Sequence, residues 1–200
     1  MPRRRRRRDC RRPIRCGSGP ARSSTRSDRC SPCEGASQRV AVISDTHMPK
    51  GTRALPAACV ERLRAADLIL HAGDLVAQSF LEELRELGPD VEAVHGNVDE
   101  PALRTLLPRE RVVEVGEARI GMTHVPGPRA GREARLAARF PGCAAVVYGH
   151  THVPQVERPD DVWILNPGSP TERRKAPTRT MLELSVLGGD IVPELVDLGT

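Results

Sequence analysis

The chain has 200 residues, 38% of them hydrophobic and 2% aromatic, with a formal net charge of +5. That length gives one domain with a sizeable core, and no apolar stretch is long enough to span a bilayer. The basic excess is local, because residues 1–38 hold 12 of the 31 basic residues and 3 of the 26 acidic ones, a balance of +9 that leaves residues 39–200 at −4. A basic charge that would ordinarily point to nucleic acid therefore belongs to the tail alone.

Residues 1–38 open on the Arg3 to Arg8 run and show no apolar periodicity. Such a composition cannot offset its ordering entropy, so the segment reads as an Arg-rich disordered tail or as a start assigned too far upstream. The second option fits GC-rich coding, since 29 arginines stand against Lys50 and Lys175 alone. Two further readings stay open: an arm contacting nucleic acid, and an organelle transit peptide. No apolar run follows the arginines, which argues against a secretory signal. Cys30-x-x-Cys33 has the spacing of half a zinc site, but Cys10 and Cys16 complete it irregularly. Cys59 and Cys143 fall at apolar positions and read as small hydrophobes in a reducing cytoplasm.

From residue 39 the elements follow quickly. Arg39 to Ser44 is an apolar run of strand length ending at Asp45, and Leu55, Cys59 and Leu63 then recur at helical spacing with Pro56 suited to a first turn. Asp67 to Leu70 predicts a second strand, leading into His71-Ala72-Gly73-Asp74. Ala77, Phe80, Leu81, Leu84 and Leu87 make an amphipathic helix stopped by Gly88-Pro89, and Val91 to His95 predicts a third strand before Gly96-Asn97. Three strand-loop-helix units of this kind describe a mostly parallel sheet, whose ligands bind beyond the carboxyl ends of the strands. That rule gathers Asp45, Asp74 and Asn97 at one edge.

The second half is richer in strands. Val112 to Val115 and Ala118 to Met122 flank a Gly116-Glu117 turn, Leu136 to Phe140 closes a short helix, and Ala144 to Tyr148 delivers Gly149-His150. Val153 to Val156, Val162 to Leu165, Thr180 to Val186 and Ile191 to Val196 complete the strands, with Gly188-Gly189 as a hairpin turn and Pro193 suited to an edge. The expected architecture is two packed sheets flanked by helices, a four-layer α/β/β/α sandwich over residues 39–200.

All six histidines lie in or beside five short strings: Ser44-Asp45-Thr46-His47, His71-Ala72-Gly73-Asp74, His95-Gly96-Asn97-Val98-Asp99, Thr123-His124 and Gly149-His150-Thr151-His152. Asp45-x-His47 and His150-x-His152 each place two ligand types two residues apart, so both can turn toward one point at a strand end. Alone each string is weak; a Gly-Asp pair, for instance, is usually a turn. Their joint order, each after a predicted strand, is what points to a metal centre. Gly73, Gly96 and Gly149 precede these positions at tight turns, where a missing Cβ lets backbone approach.

In order and spacing the five strings resemble the calcineurin-like metallophosphoesterase superfamily and, more narrowly, its small single-domain YfcE-like phosphodiesterase branch. The resemblance implies the calcineurin-like phosphoesterase fold and two divalent metal ions, whose identity among Mn, Ni, Fe and Zn the mixed donors leave open. It implies one ion on Asp45, His47, Asp74 and His152 and the other on Asp74, Asn97, His124 and His150, with Asp74 between them. An anionic bridge is what two cations roughly 3.5–4 Å apart require. The implied activity is hydrolysis of a small phosphodiester by a metal-bridging hydroxide, with Asp74 and Asn97 acting through the metals. Phosphomonoester hydrolysis and a non-catalytic scaffold role are the alternatives. His71 and His95 match no ligand position and read as supporting or packing residues. Asn166-Pro167-Gly168-Ser169 matches another family string and is expected to support the histidine loop.

Two departures stand out. Val98 follows Asn97 where relatives that hydrolyse monoesters often have a proton-donating His, and Asp99 is a poor substitute because carboxylates near cations stay ionised. Val125-Pro126-Gly127 replaces the Gly-His that commonly follows the ligand equivalent to His124, so the adjoining substrate loop differs.

Overall fold

The structure, a computed structural model, describes residues 37–200. The readings of the Arg-rich tail and of its four cysteines fall outside these residues. Two five-stranded sheets make up the centre. The first, in spatial order β10-β9-β1-β2-β3, consists of β1 (Gln38–Ile43), β2 (Leu68–His71), β3 (Asp90–Ala93), β9 (Thr180–Leu187) and β10 (Asp190–Asp197). The second, in order β4-β5-β6-β8-β7, consists of β4 (Glu110–Val115), β5 (Ala118–Thr123), β6 (Ala145–Tyr148), β7 (Gln155–Glu157) and β8 (Trp163–Asn166).

Alternation along the strands produces the layers. On β1, Val40 and Val42 face the second sheet and pack with Val113, Ile120, Met122, Val147 and Leu165. Ala41 and Ile43, one residue out of phase, face the helices α1 (Ala57–Ala65), α2 (Gln78–Arg85) and α3 (Pro101–Leu106) through Cys59, Leu63, Phe80, Leu81, Leu84 and Leu103. Across the second sheet, Leu136 on α4 (Arg132–Arg139) and Phe140 just after it pack on Val146, Tyr148 and Ile164. The result is the expected four-layer α/β/β/α sandwich. Both sheet faces are buried, which is why β1 and β6 read as continuous apolar runs.

The position of the site follows from register. β1, β2 and β3 run parallel, with Ile43 level with His71 and His71 level with Ala93. The residues after each strand therefore emerge along one edge. In the second sheet β5 and β6 are parallel with Thr123 opposite Tyr148, so His124 and the Gly149-His150 turn emerge side by side as well. The hairpins expected at Gly116-Glu117 and Gly188-Gly189 are present, and Pro193 lies on the edge strand β10.

α3 has no periodic signature in the sequence, since its six residues bury only Leu103 and are too short to show a helical period. Pro101 at its first turn was the available signal. Cys59 and Cys143 are buried free thiols, as expected of small hydrophobes; burial pushes the Cys59 thiol up to about 12, which leaves it unreactive.

Candidate metal centre

Asp45, His47, Asp74, Asn97, His124, His150 and His152 come together at the shared strand edge in one unbroken series of contacts. Asp45 Oδ1 lies 3.2 Å from His152 Nε2, which is 3.2 Å from His47 Nε2. His47 Nε2 lies 3.8 Å from Asp74 Oδ2, and the same oxygen is 3.2 Å from His124 Nε2. His124 Nε2 is 3.1 Å from Asn97 Oδ1, which in turn is 2.8 Å from His150 Nδ1. Within this series of side-chain contacts, Asp74 Oδ2 stands between the half contributed by Asp45, His47 and His152 and the half contributed by Asn97, His124 and His150. Asp45, His47 and His152 form one potential ion-binding cluster, and Asp45, Asp74 and His124 another, with ligand atoms within 4.8 Å of each other in each.

The donor chemistry fits divalent cations. His124 Nδ1 donates to the Ala72 carbonyl at 2.8 Å and His152 Nδ1 donates to the Glu172 carbonyl at 3.4 Å, so the remaining Nε2 lone pairs face Asp74 and Asp45 respectively. Lone pairs set against carboxylate oxygens repel unless a proton or a metal ion lies between them. Anchoring of one ring nitrogen by a carbonyl is the usual way a ligating imidazole is oriented. Burial alone would raise both carboxylates, but His152, His124 and Ser44 hold Asp45 below its ordinary value, and His124, the Val98 amide and His47 hold Asp74 down to about 2. Burial works against charge on His124 too, and the Asp74 hydrogen bond and the Asp45 charge outweigh it, raising its pKa.

The backbone carries strain at the same places. Asp45, His47, Asp74, His150 and His152 all have positive φ, between 48° and 71°, although none is glycine. Residues held in this region cost about 1–3 kcal/mol each and persist where the surroundings over-determine them, typically at functional sites. Here the hydrogen bonds of the turns do so: the Asp45 amide donates to the Gly73 carbonyl, the His47 amide to the Asp74 carbonyl, and the His150 amide to the Asp45 carboxylate at 2.9 Å. Gly96 and Gly149 are required for space, since a Cβ on Gly96 would overlap the Asp74 carboxylate and one on Gly149 would overlap Ser44 Oγ.

Other residues hold the turns that present these side chains. Asp99 is buried, and its carboxylate accepts from the amides of Asp74 (3.2 Å), Val76 (2.6 Å) and Gly96 (2.6 Å). It pins the two turns that present Asp74 and Asn97, and is fully engaged there. Ser169 Oγ donates to the Asp45 carbonyl at 2.8 Å and accepts from the amides of Thr171 and Glu172, a turn-holding role. Asn166 donates to the Gly149 carbonyl and to Thr151 Oγ1, which supports the histidine loop. Nothing in the sequence singles out Glu172, which contacts His152 and pairs with Arg53. Only long-range proximity identifies it.

His71 is completely buried and belongs to the support. Its Nδ1 accepts from the Gly73 amide at 3.2 Å, so its Nε2 proton is given to Thr46 Oγ1 at 3.0 Å. Burial pushes this imidazole down to about 3 from 6.5. In acid only the unfolded chain then takes the proton, so stability is whole above 6.5 and is lost as pH falls from there toward the folded value. Urea unfolding of metal-stripped protein at a series of pH values between about 6 and 4 should include a loss of about 1 kcal/mol per pH unit from this residue. His71→Asn should flatten that limb; an unchanged slope would remove His71 as its source. His95 sits at the mouth of the site, half-buried, with Nδ1 donating to the Gly96 carbonyl at 3.2 Å.

Residues 39–188 match the profile of the calcineurin-like phosphoesterase superfamily domain. A probable metallophosphoesterase of Methanocaldococcus jannaschii is 37% identical over 155 residues, covering 76% of this chain and 78% of its own length. A probable metallophosphoesterase of Methanothermobacter thermautotrophicus is 37% identical over 163 residues, covering 80% and 92%. Among solved structures, wild-type Vps29 of Entamoeba histolytica complexed with zinc is similar at 26% identity and a TM-score of 0.62, over 80% of this chain and 99% of that one.

Proposed function

The chain belongs to the calcineurin-like phosphoesterase superfamily, and from that premise we propose that it hydrolyses phosphodiesters at a centre of two divalent metal ions. The observation that carries the reading is the continuous series of seven potential ligands with Asp74 Oδ2 at its middle. Ions held there supply Lewis acidity toward the phosphoryl oxygens and a water of lowered pKa. Asp45, His47, Asp74 and His152 would hold one, and Asp74, Asn97, His124 and His150 the other, drawn from Mn, Fe, Ni or Zn.

The protein's own groups explain the preference for a diester. Asp45 and Asp74 are the only carboxylates among the seven, so the site stays electropositive when two divalent ions are bound, which suits a monoanionic diester. Asp45, His47, Asp74, His124 and His152 are buried whereas Asn97 and His150 are exposed, so substrate approaches from the Asn97 and His150 side. Neither residue after Asn97 can protonate the leaving group: Val98 is an exposed aliphatic residue and the Asp99 carboxylate is occupied by three backbone amides. With no donor at that position, esters with acidic leaving groups are favoured.

The test is turnover by metal-stripped full-length protein with Mn, Ni or Zn restored, comparing bis-p-nitrophenyl phosphate with p-nitrophenyl phosphate. A higher kcat/KM on the diester is the expected result, and the reverse order would assign a phosphomonoesterase. The likeness to Vps29 favours one other reading, a scaffold without catalysis. Two bound ions with no turnover on either ester would select it.

A further inference from the structure

Beside the candidate metal centre lies a cleft of about 240 Å³, lined by His95, Asn97, Arg104, Arg109, His124 and Val125. Two of these, Asn97 and His124, belong to the series of potential ligands, so the cleft opens directly from the centre. Two of the lining residues, Arg104 and Arg109, are exposed arginines. The arginines that form ion pairs among the described residues are Arg53, Arg62, Arg111, Arg139 and Arg174; Arg104 and Arg109 are not among them. Arg104 also donates to the Asn97 carbonyl, which fixes its guanidinium next to a potential ligand. Arg109 follows Pro108, whose carbonyl accepts from the His95 amide and ties this segment to the end of β3.

Resting on the phosphodiesterase reading, we propose that this cleft seats one arm of the diester and that Arg104 and Arg109 hold a second anionic group, a phosphate or carboxylate, carried on that arm. Three features support this. The volume is small against the usual few hundred to a thousand Å³ of whole-ligand pockets, so it takes a part of the substrate. Val125 gives the arm's carbon skeleton an apolar wall, at the loop where the chain departs from the Gly-His pattern. Guanidinium forks without carboxylate partners match the oxygens of a phosphate or carboxylate, and the match is geometric as well as electrostatic. The substrate class is therefore a phosphodiester with an additional negative charge a few bonds from the scissile phosphate.

Calorimetric binding of three ligands on one three-carbon skeleton tests it: propyl phosphate, the same phosphate with a terminal carboxylate, and propane-1,3-diyl bisphosphate, each titrated into manganese-loaded full-length protein. Wild type should bind either ligand that carries the second anionic group about tenfold more tightly than propyl phosphate, the scale of one charge-assisted hydrogen-bonded pair. The ligand with the larger preference identifies the anion. Arg109→Gln, which leaves the Asn97 carbonyl contact alone, should reduce the ratio to near one. Arg104→Lys keeps the charge and removes the fork, and should reduce it partly. No preference in wild type, or an undiminished one in a normally melting Arg109→Gln protein, overturns the proposal. Neither result depends on turnover, so failure of the diesterase reading appears separately, as lost hydrolysis with the binding preference intact.

Discussion

Asp74→Asn should lower metal-dependent hydrolysis of bis-p-nitrophenyl phosphate by more than about 100-fold, since even residues that merely support a ligand cost about 10–100-fold when changed. The substitution is close to isosteric. An amide oxygen at the Oδ1 position can still accept from the Val98 amide at 3.0 Å, and the turn remains pinned by Asp99 from the other side. What disappears is the negative charge on the single oxygen between His47 and His124. Metal content should fall with activity, because two cations in proximity need an anion between them. The measurements are kcat/KM, bound metal per chain, and the thermal midpoint of the same preparation. A variant that binds two ions and turns over within about tenfold of wild type would overturn the bridging role proposed for Asp74.

Gly96→Ala should be the most damaging substitution of a single hydrogen by a methyl group. An added Cβ would overlap Asp74 Oδ1, with Asp74 Cγ at 2.8 Å, and the obstructing atoms include the Asp74 backbone nitrogen, which cannot rotate away. Relief requires moving one turn off the other, and both are tied to the Asp99 carboxylate. Overpacking of this kind costs about 1–3 kcal/mol, a fall in Tm of roughly 2–12 °C for a chain of this size. Because the displaced atoms are those of a potential ligand, metal affinity should fall too. Gly189→Ala is the control: nothing lies within 4 Å of its added Cβ, and its Tm should stay within about 2 °C of wild type. Equal melting of the two variants would mean that the turns adjust freely.

Much of the fold is legible along the chain because its burial is simple. β1 is apolar along most of its length, since a helix layer covers one face and a second sheet the other. α2 displays Phe80, Leu81 and Leu84 on one stripe and ends before Gly88-Pro89. α3 is not legible, because one buried leucine makes no period. The potential ligands were legible for another reason: each lies within four residues of a strand's end, and parallel strands in register deliver the loop residues that follow them to the same edge.

Of the residues that hold those ligands, Asn166 was legible through the string expected to support the histidine loop, and the others were not. Asp99 looks from sequence like a poor acid near a metal, and the structure makes it the acceptor for three amides that shape two turns. Ser169 lies 124 positions from the Asp45 carbonyl it binds, and Glu172 lies 20 from the ring it contacts; neither separation has any period to betray it.

The sequence by itself therefore determined the kinds of donor present, their order, and the strand ends that carry them, because these depend on local residue type and on burial period. Tertiary structure alone decided that one oxygen of Asp74 stands between the two halves of the series. It alone also decided that five of the seven potential ligands adopt positive φ. It also placed Arg104 and Arg109 beside the centre, with no ion-pair partner among the described residues. Those are matters of distance between segments remote in the chain, set by how two sheets pack and by which buried polar groups each turn must satisfy.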